Sequence, residues 1–161
     1  MNGPRGAAGP AAARGSVTVT CPSVEATQAL AARIARRAMP GTVVALSGDL
    51  GAGKTCFIQG LAAGLGVEGP VTSPTFIMIA EHAGRLPLYH VDLYRTESLE
   101  EIHALGLDEL LDGGGVTAIE WAEKAEPLLP SRTVRVRIRG AGDEPRTIEI
   151  EGAPPGWVAP A

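Results

Sequence analysis

The stretch Gly48–Thr55 reads G-D-L-G-A-G-K-T and satisfies the pattern G-x-x-x-x-G-K-[ST] at every fixed position. Each position has a physical duty. Gly48, Gly51 and Gly53 permit a tight turn, so that consecutive N–H groups along Asp49, Leu50, Ala52, Lys54, Thr55 and Cys56 point at phosphate oxygens. Lys54 supplies a point charge for the β- and γ-phosphates, and the Thr55 hydroxyl is placed to ligate Mg²⁺. A helix opening at about Gly53 turns the positive end of its dipole toward the same anion.

Such a loop works only between a buried strand and a helix. Thr42–Ser47 (T-V-V-A-L-S) is a short, apolar, β-branched run that reads as the strand. Cys56–Leu65 follows with Phe57, Leu61 and Leu65 at helical spacing, although Gly60 and Gly64 lower its intrinsic propensity. Both contexts are present. The expected fold is therefore α/β, a three-layer arrangement of the P-loop NTPase type that binds Mg²⁺–ATP.

The chain has 161 residues and a formal net charge of −4. That length suits one domain, expected over 16–151, between a disordered N-terminal tail at 1–15 (Gly/Pro/Ala-rich) and a loose C-terminal tail at 152–161. The acidic balance argues against bulk attraction to nucleic acid or anionic membrane as the main mode of binding. Cys21 and Cys56 form neither a disulfide framework nor a metal motif; Cys56 lies in a first helical turn, where a dipole can lower a thiol pKa, but it reads as a small buried residue without a redox role. No apolar run reaches membrane-spanning length and no secretory h-region opens the chain, so a cytoplasmic location is expected.

Read in order, Ser16–Thr20 alternates as a strand, Ser23 caps a helix over Val24–Met39, and Pro40-Gly41 stops it. Val71–Phe76 (V-T-S-P-T-F) is extended around Pro74, displaying Ser73 and Thr75. Phe76–His82 and Leu86–Asp92 read as a hairpin, which makes the sheet mixed. Ser98 and Glu101 form a capping box, Gly106 interrupts that helix, and Val116–Glu120 is another apolar strand. Trp121–Leu129 reads as a short helix. Thr133–Arg139 and Arg146–Glu151 alternate as a second hairpin, whose Arg135, Arg137 and Arg139 face Glu149 and Glu151 as ion-pair partners.

Hydrolysis needs an acid near Mg²⁺ and a group that orients the attacking nucleophile. Asp92 and Glu120 end apolar strands, where such groups belong in an α/β sheet, and spacing alone does not assign the two roles. His90 reads equally as a strand residue without chemistry. Arg95 is placed either to neutralise phosphate or to pair with Glu97.

The set G-D-L-G-A-G-K-T, S-P-T-F, Y-H-V-D-L-Y-R and I-E-W-A-E, in that order, resembles the TsaE (YjeE) family, the ATPase component of the bacterial tRNA threonylcarbamoyladenosine pathway. The resemblance covers about Ser16 to Arg139. It implies that Thr55 and Glu120 hold Mg²⁺, that Lys54 and the loop amides hold phosphate, and that Asp92 serves hydrolysis. Thr75 would sense the γ-phosphate, Thr27 would lie near the adenine, and the loop from Pro130 through Ser131 to Arg132 would close the other side of the base. Trp121 would wall the site. The implied partner is a TsaB–TsaD complex, with tRNA touched indirectly or weakly. Two positions depart from the family: Cys56 stands where a second threonine is usual, and Ala122 where proline often follows the tryptophan. A small-molecule kinase and a nucleotide-gated binding module without catalysis are the competing readings.

Overall fold

The computed structural model describes residues 15–158. The expected disordered tail, except Gly15, and the last three residues lie outside the described residues.

Strand β2 (Val43–Ser47) is buried from Val43 through Leu46, as a continuous apolar run requires when both faces of a sheet are covered. It pairs in parallel with β5 (Val116–Glu120) on one side and β6 (Val134–Arg139) on the other. β4 (Leu88–Asp92) continues the parallel set beyond β5, and β3 (Ile79–His82) closes that edge antiparallel. On the opposite edge β7 (Arg146–Glu151) and β1 (Ser16–Cys21) are antiparallel, giving the order β1-β7-β6-β2-β5-β4-β3. The mixed α/β class expected from sequence is the observed one.

Alternation along the strands feeds two cores. Val44, Leu46, Val136 and Ile148 point to the face covered by helices α1 (Val24–Arg37) and α2 (Lys54–Gly64), where Leu30, Ile34, Phe57 and Leu61 meet them. Val43, Ala45, Val91 and Ile119 point to the other face, under α3 (Leu99–Ala104), α4 (Leu107–Leu111) and the 3₁₀ helix Ala122–Leu128. Three layers result.

Gly60 and Gly64, unfavourable for helix formation, are explained by the α1–α2 crossing. A Cβ on Gly60 would lie 2.5 Å from Gln28 O and 2.8 Å from Ala31 Cβ, and one on Gly64 would lie 2.5 Å from Ala32 O. The two backbones touch where side chains would stand. At Ser23 the cap forms as expected, its Oγ accepting from Ala26 N at 3.1 Å. At Ser98 the box is shifted by one residue: Ser98 Oγ accepts from Glu101 N, while Glu101 Oε1 accepts from Glu97 N rather than from Ser98 N.

Several boundaries differ from expectation. α1 ends at Arg37, not Met39, because Pro40 disfavours helical backbone before it and Thr42 Oγ1 takes the Met39 N–H. The strand expected over Phe76–His82 begins only at Ile79. Met78 N donates to Pro74 O at 2.5 Å, closing a turn that puts Met78 at φ 71° and turns Phe76 and Ile77 outward. Within the expected tail, Ala153 is buried and Trp157 and Val158 pack on the first core. Arg137 and Arg139 both approach Glu149, at 3.6 and 3.8 Å, but Arg135 pairs with Glu126 of the 3₁₀ helix instead of its cross-strand neighbour Glu151.

Gly60→Ala separates two opposing effects. Alanine favours helix over glycine by about 1 kcal/mol. The clash falls on main-chain atoms that have no rotamer escape, and overpacking costs about 1–3 kcal/mol. We expect net destabilisation and a lower melting temperature by calorimetry; a higher one would show that α1 and α2 do not rest backbone to backbone here.

Candidate phosphate and metal-ion site

The loop lies between the end of β2 and the start of α2. Gly48 has φ 151°, and a Cβ there would sit 2.5 Å from Ile138 O, so the chain can leave the sheet past β6 only at a residue without a side chain. Gly53, at φ 115°, caps α2 without a side-chain bond, leaving the first helical N–H groups facing the loop. Lys54 is buried in the first turn of α2. Its Nζ donates to Gly48 O at 2.6 Å and Asp49 O at 3.0 Å, and lies 4.0 Å from the Trp121 ring centroid. Burial pulls the Lys54 pKa below the ordinary lysine value. Carboxylates at Glu120, Glu123, Asp92 and Asp49 push it back up, in that order of strength. Anionic side chains thus surround the one cation of the loop.

Register brings the two candidate acids together. Glu120 is level with Leu46 of β2 and with Asp92 of β4, so both carboxylates emerge at the C-terminal ends of adjacent parallel strands, beside the loop. Both are buried. Thr55 Oγ1 donates to Glu120 Oε2 at 2.9 Å, and His90 Nε2 meets the same oxygen at 2.6 Å. Asp92 is held differently. Its Oδ2 accepts from Ser73 Oγ at 2.5 Å and Thr75 Oγ1 at 3.1 Å, and its Oδ1 accepts from Tyr94 N at 2.9 Å. Glu120 therefore belongs with Thr55, and Asp92 with the S-P-T-F segment.

Among the described residues no group of three or more His, Cys, Asp and Glu side chains is arranged to hold a metal. Thr55 and Glu120 suit the other kind of site, in which Mg²⁺ takes one carboxylate and leaves most positions to phosphate and water. Their 2.9 Å separation matches roughly the 2.9 Å edge of an octahedron with Mg–O distances near 2.0–2.1 Å. The donor set fits the ion.

Beside the loop runs a cleft of about 200 Å³. Cys21–Val24 and Thr27 line one wall, Ala52, Gly53 and Cys56 the floor, and Gly142, Asp143, Glu144 and Arg146 the other wall. Arg146 fixes that wall: its Nε donates to Ala52 O at 2.8 Å and its other nitrogens to Gly142 O and Glu144 O. Nothing in the local sequence around Arg146 points to the phosphate loop.

Ser131 and Arg132 are elsewhere. Arg132 donates to Gly41 O at 2.8 Å and Leu111 O at 2.6 Å, which places both residues at the start of β2, across the sheet from the loop. The turn between β6 and β7, not the segment before β6, faces Thr27. Arg95 stacks 5.0 Å from the Phe76 ring centroid rather than pairing with Glu97. Trp121 adopts φ 60° directly after Glu120, with its ring between Lys54 and Tyr94, 5.1 Å from the latter's ring.

Cys56 does not show the lowered pKa that a helix dipole alone would give. Its thiol pKa lies above the ordinary 9.0, chiefly through burial, with Arg146 only partly opposing. Cys21, in the same cleft, is raised for the same reason.

The family model for "Threonylcarbamoyl adenosine biosynthesis protein TsaE" matches residues 21–148. A protein of Bacillus subtilis (strain 168), named tRNA threonylcarbamoyladenosine biosynthesis protein TsaE, is 50% identical over 125 residues, 77% of this chain and 78% of its own length. A protein of the same name from Treponema pallidum (strain Nichols) is 48% identical over 110 residues, covering 68% of this chain and 82% of its own. The crystal structure of YdiB from Bacillus subtilis superposes with a TM-score of 0.74 at 40% identity, covering 87% of each chain.

The raised thiol pKa has a measurable consequence. A thiol held above 9.0 carries less thiolate at pH 7–8 than a free cysteine, so Cys56 should alkylate slowly with iodoacetamide and accelerate only in the alkaline range. Rapid labelling at pH 7, located at Cys56 by peptide mass spectrometry, would contradict the burial argument.

Proposed function

This chain belongs to the TsaE family, and from that premise we propose that it is a Mg²⁺-dependent ATPase acting with a TsaB–TsaD-like complex in threonylcarbamoylation of adenosine 37 in tRNAs that read codons beginning with adenine. The observation that carries the catalytic part is the contact from Thr55, at the end of the phosphate loop, to the buried Glu120. A loop that merely turned would not direct a hydroxyl and a carboxylate to one point beside its amides.

The residues divide the work. The amides from Gly48 to Cys56 bind phosphate oxygens, and the Lys54 ammonium exchanges its loop carbonyls for them. Thr55 and Glu120 hold Mg²⁺, which when bound neutralises phosphate charge. Asp92 orients the attacking water, and Ser73 and Thr75 fix the direction of its carboxylate. Thr27 and the turn from Gly142 to Arg146 enclose the base. Intrinsic turnover is slow, because Arg146 spends its guanidinium on main-chain carbonyls and Arg95 on Phe76 instead of reaching over the loop.

A docking partner is supported by the segment that holds Asp92. Phe76 and Ile77 are adjacent and 82% and 72% exposed, and they follow directly on Thr75. Contact there is transmitted to the Asp92 carboxylate through one hydroxyl. No helix among the described residues is long and apolar enough to cross a membrane. The same Thr75–Asp92 contact also favours a second reading, a nucleotide-gated module in which the loop state matters and hydrolysis does not.

Phosphate release separates the two. Lys54→Ala should abolish Mg²⁺-dependent release in the presence of the partner complex. Asp92→Asn should still bind ATP and lose about 10²–10³-fold in kcat. Unchanged turnover in Lys54→Ala would end the ATPase assignment, and no release by the wild type with its partners would leave the gated module.

A further inference from the structure

His90 is fully buried in β4, opposite Ala118 of β5. Its cross-strand partners Ala80 and Ala118 are apolar, and a strand residue with no task beyond packing would be apolar too. Instead the ring spends one nitrogen on a single partner, Nε2 lying 2.6 Å from Glu120 Oε2, while Nδ1 has no hydrogen-bond partner among the described residues. A carboxylate accepts, so Nε2 donates in this contact and the ring's other nitrogen is left without a partner. Retaining a buried ring with half its polar capacity unmet is costly. The compensation is the contact with Glu120.

We propose that His90 is a positioning residue for the metal site, fixing the Glu120 carboxylate beside the Thr55 hydroxyl. Glu120 Oε2 receives both Thr55 Oγ1 and His90 Nε2. Thr55 is fixed by the first turn of α2, whereas a glutamate side chain has three rotatable bonds and its carboxylate needs a second anchor. The main chain of β5 cannot provide it, because its amides are used in the sheet. Among the described residues, the side chain on the adjacent strand that hydrogen-bonds Glu120 is the His90 imidazole. Carboxylates that ligate a metal are themselves hydrogen-bonded by an outer partner, and losing such a partner weakens metal binding about 10- to 100-fold. The inference rests on the Mg²⁺–nucleotide reading given above.

The test exploits side-chain geometry. Gln at this position presents its amide nitrogen where Nε2 now lies, while Asn presents it nearer Nδ1 and falls short of Glu120. Full-length wild type, His90→Gln and His90→Asn are titrated with Mg²⁺ at saturating ADP. Binding is followed by indole emission, since Trp121 directly follows Glu120. Melting curves without ligand check folding. The expected result is half-saturation near wild type for His90→Gln and raised about tenfold for His90→Asn, with the affinity for ADP in chelator unchanged in both. Equal shifts in the two variants, or no shift in either, overturn the positioning role. Should His90→Asn fail to fold, His90→Gln decides alone: half-saturation near wild type supports the role, and a tenfold rise overturns it. Absence of any Mg²⁺-dependent signal in the wild type would instead strike the nucleotide reading itself.

Discussion

The parallel register of β2, β5 and β4 is the constraint on which the site depends. It levels Leu46 with Glu120 and Glu120 with Asp92, so two carboxylates leave the sheet at one height, where β2 also releases the phosphate loop. A slip of one residue in either pairing would turn an acid into the opposite core, because successive strand side chains alternate faces. The apolar faces prevent that slip. Val44 and Leu46 are committed to the layer under α1 and α2, and Val43 and Ala45 to the layer under α3 and α4. Hydrophobic burial thus sets the positions of the polar chemistry.

The buried polar groups follow from this arrangement. Lys54, His90, Asp92 and Glu120 are all buried, and each is paired with a loop carbonyl, a hydroxyl or another member of the set. Leaving such a group without a partner costs about 1–3 kcal/mol, so each set of contacts in this network is strongly favoured. Its two halves divide the site. Thr55, Glu120 and His90 form a rigid part built on the sheet and α2. Ser73, Thr75 and Asp92 form a part in which a turn, with Met78 at positive φ, meets the sheet edge. The exposed Phe76 and Ile77 belong to the second part, the one able to respond to a partner.

How much of this could be read from sequence depends on how far apart the interacting residues lie. The loop was legible because its eight residues carry their own geometry and their flanks name a strand and a helix. Asp92 and Glu120 were legible as candidates, since each ends an apolar run. Spacing alone did not separate them and only the family resemblance did, because the contacts that distinguish them, Glu120 with Thr55 and Asp92 with Ser73, join residues far apart in sequence. Arg146 was missed for the same reason: its partner Ala52 is 94 residues earlier. Ser131 and Arg132 were misplaced because nothing local shows at which end of the sheet a connection lies; the direction of β2 decides it. For Cys56 the sequence already favoured a small buried residue, and burial is the chief influence raising its thiol pKa.

The geometry of the candidate site and the family together support the function proposed above. It is tested most directly by deleting the gene and quantifying tRNA nucleosides by mass spectrometry, with the wild-type chain or its Lys54→Ala variant supplied in trans. Threonylcarbamoyladenosine should fall sharply on deletion, return with the wild type and stay low with Lys54→Ala. A normal level in the deletion strain, or full recovery with Lys54→Ala, would contradict a role for this phosphate loop in the modification.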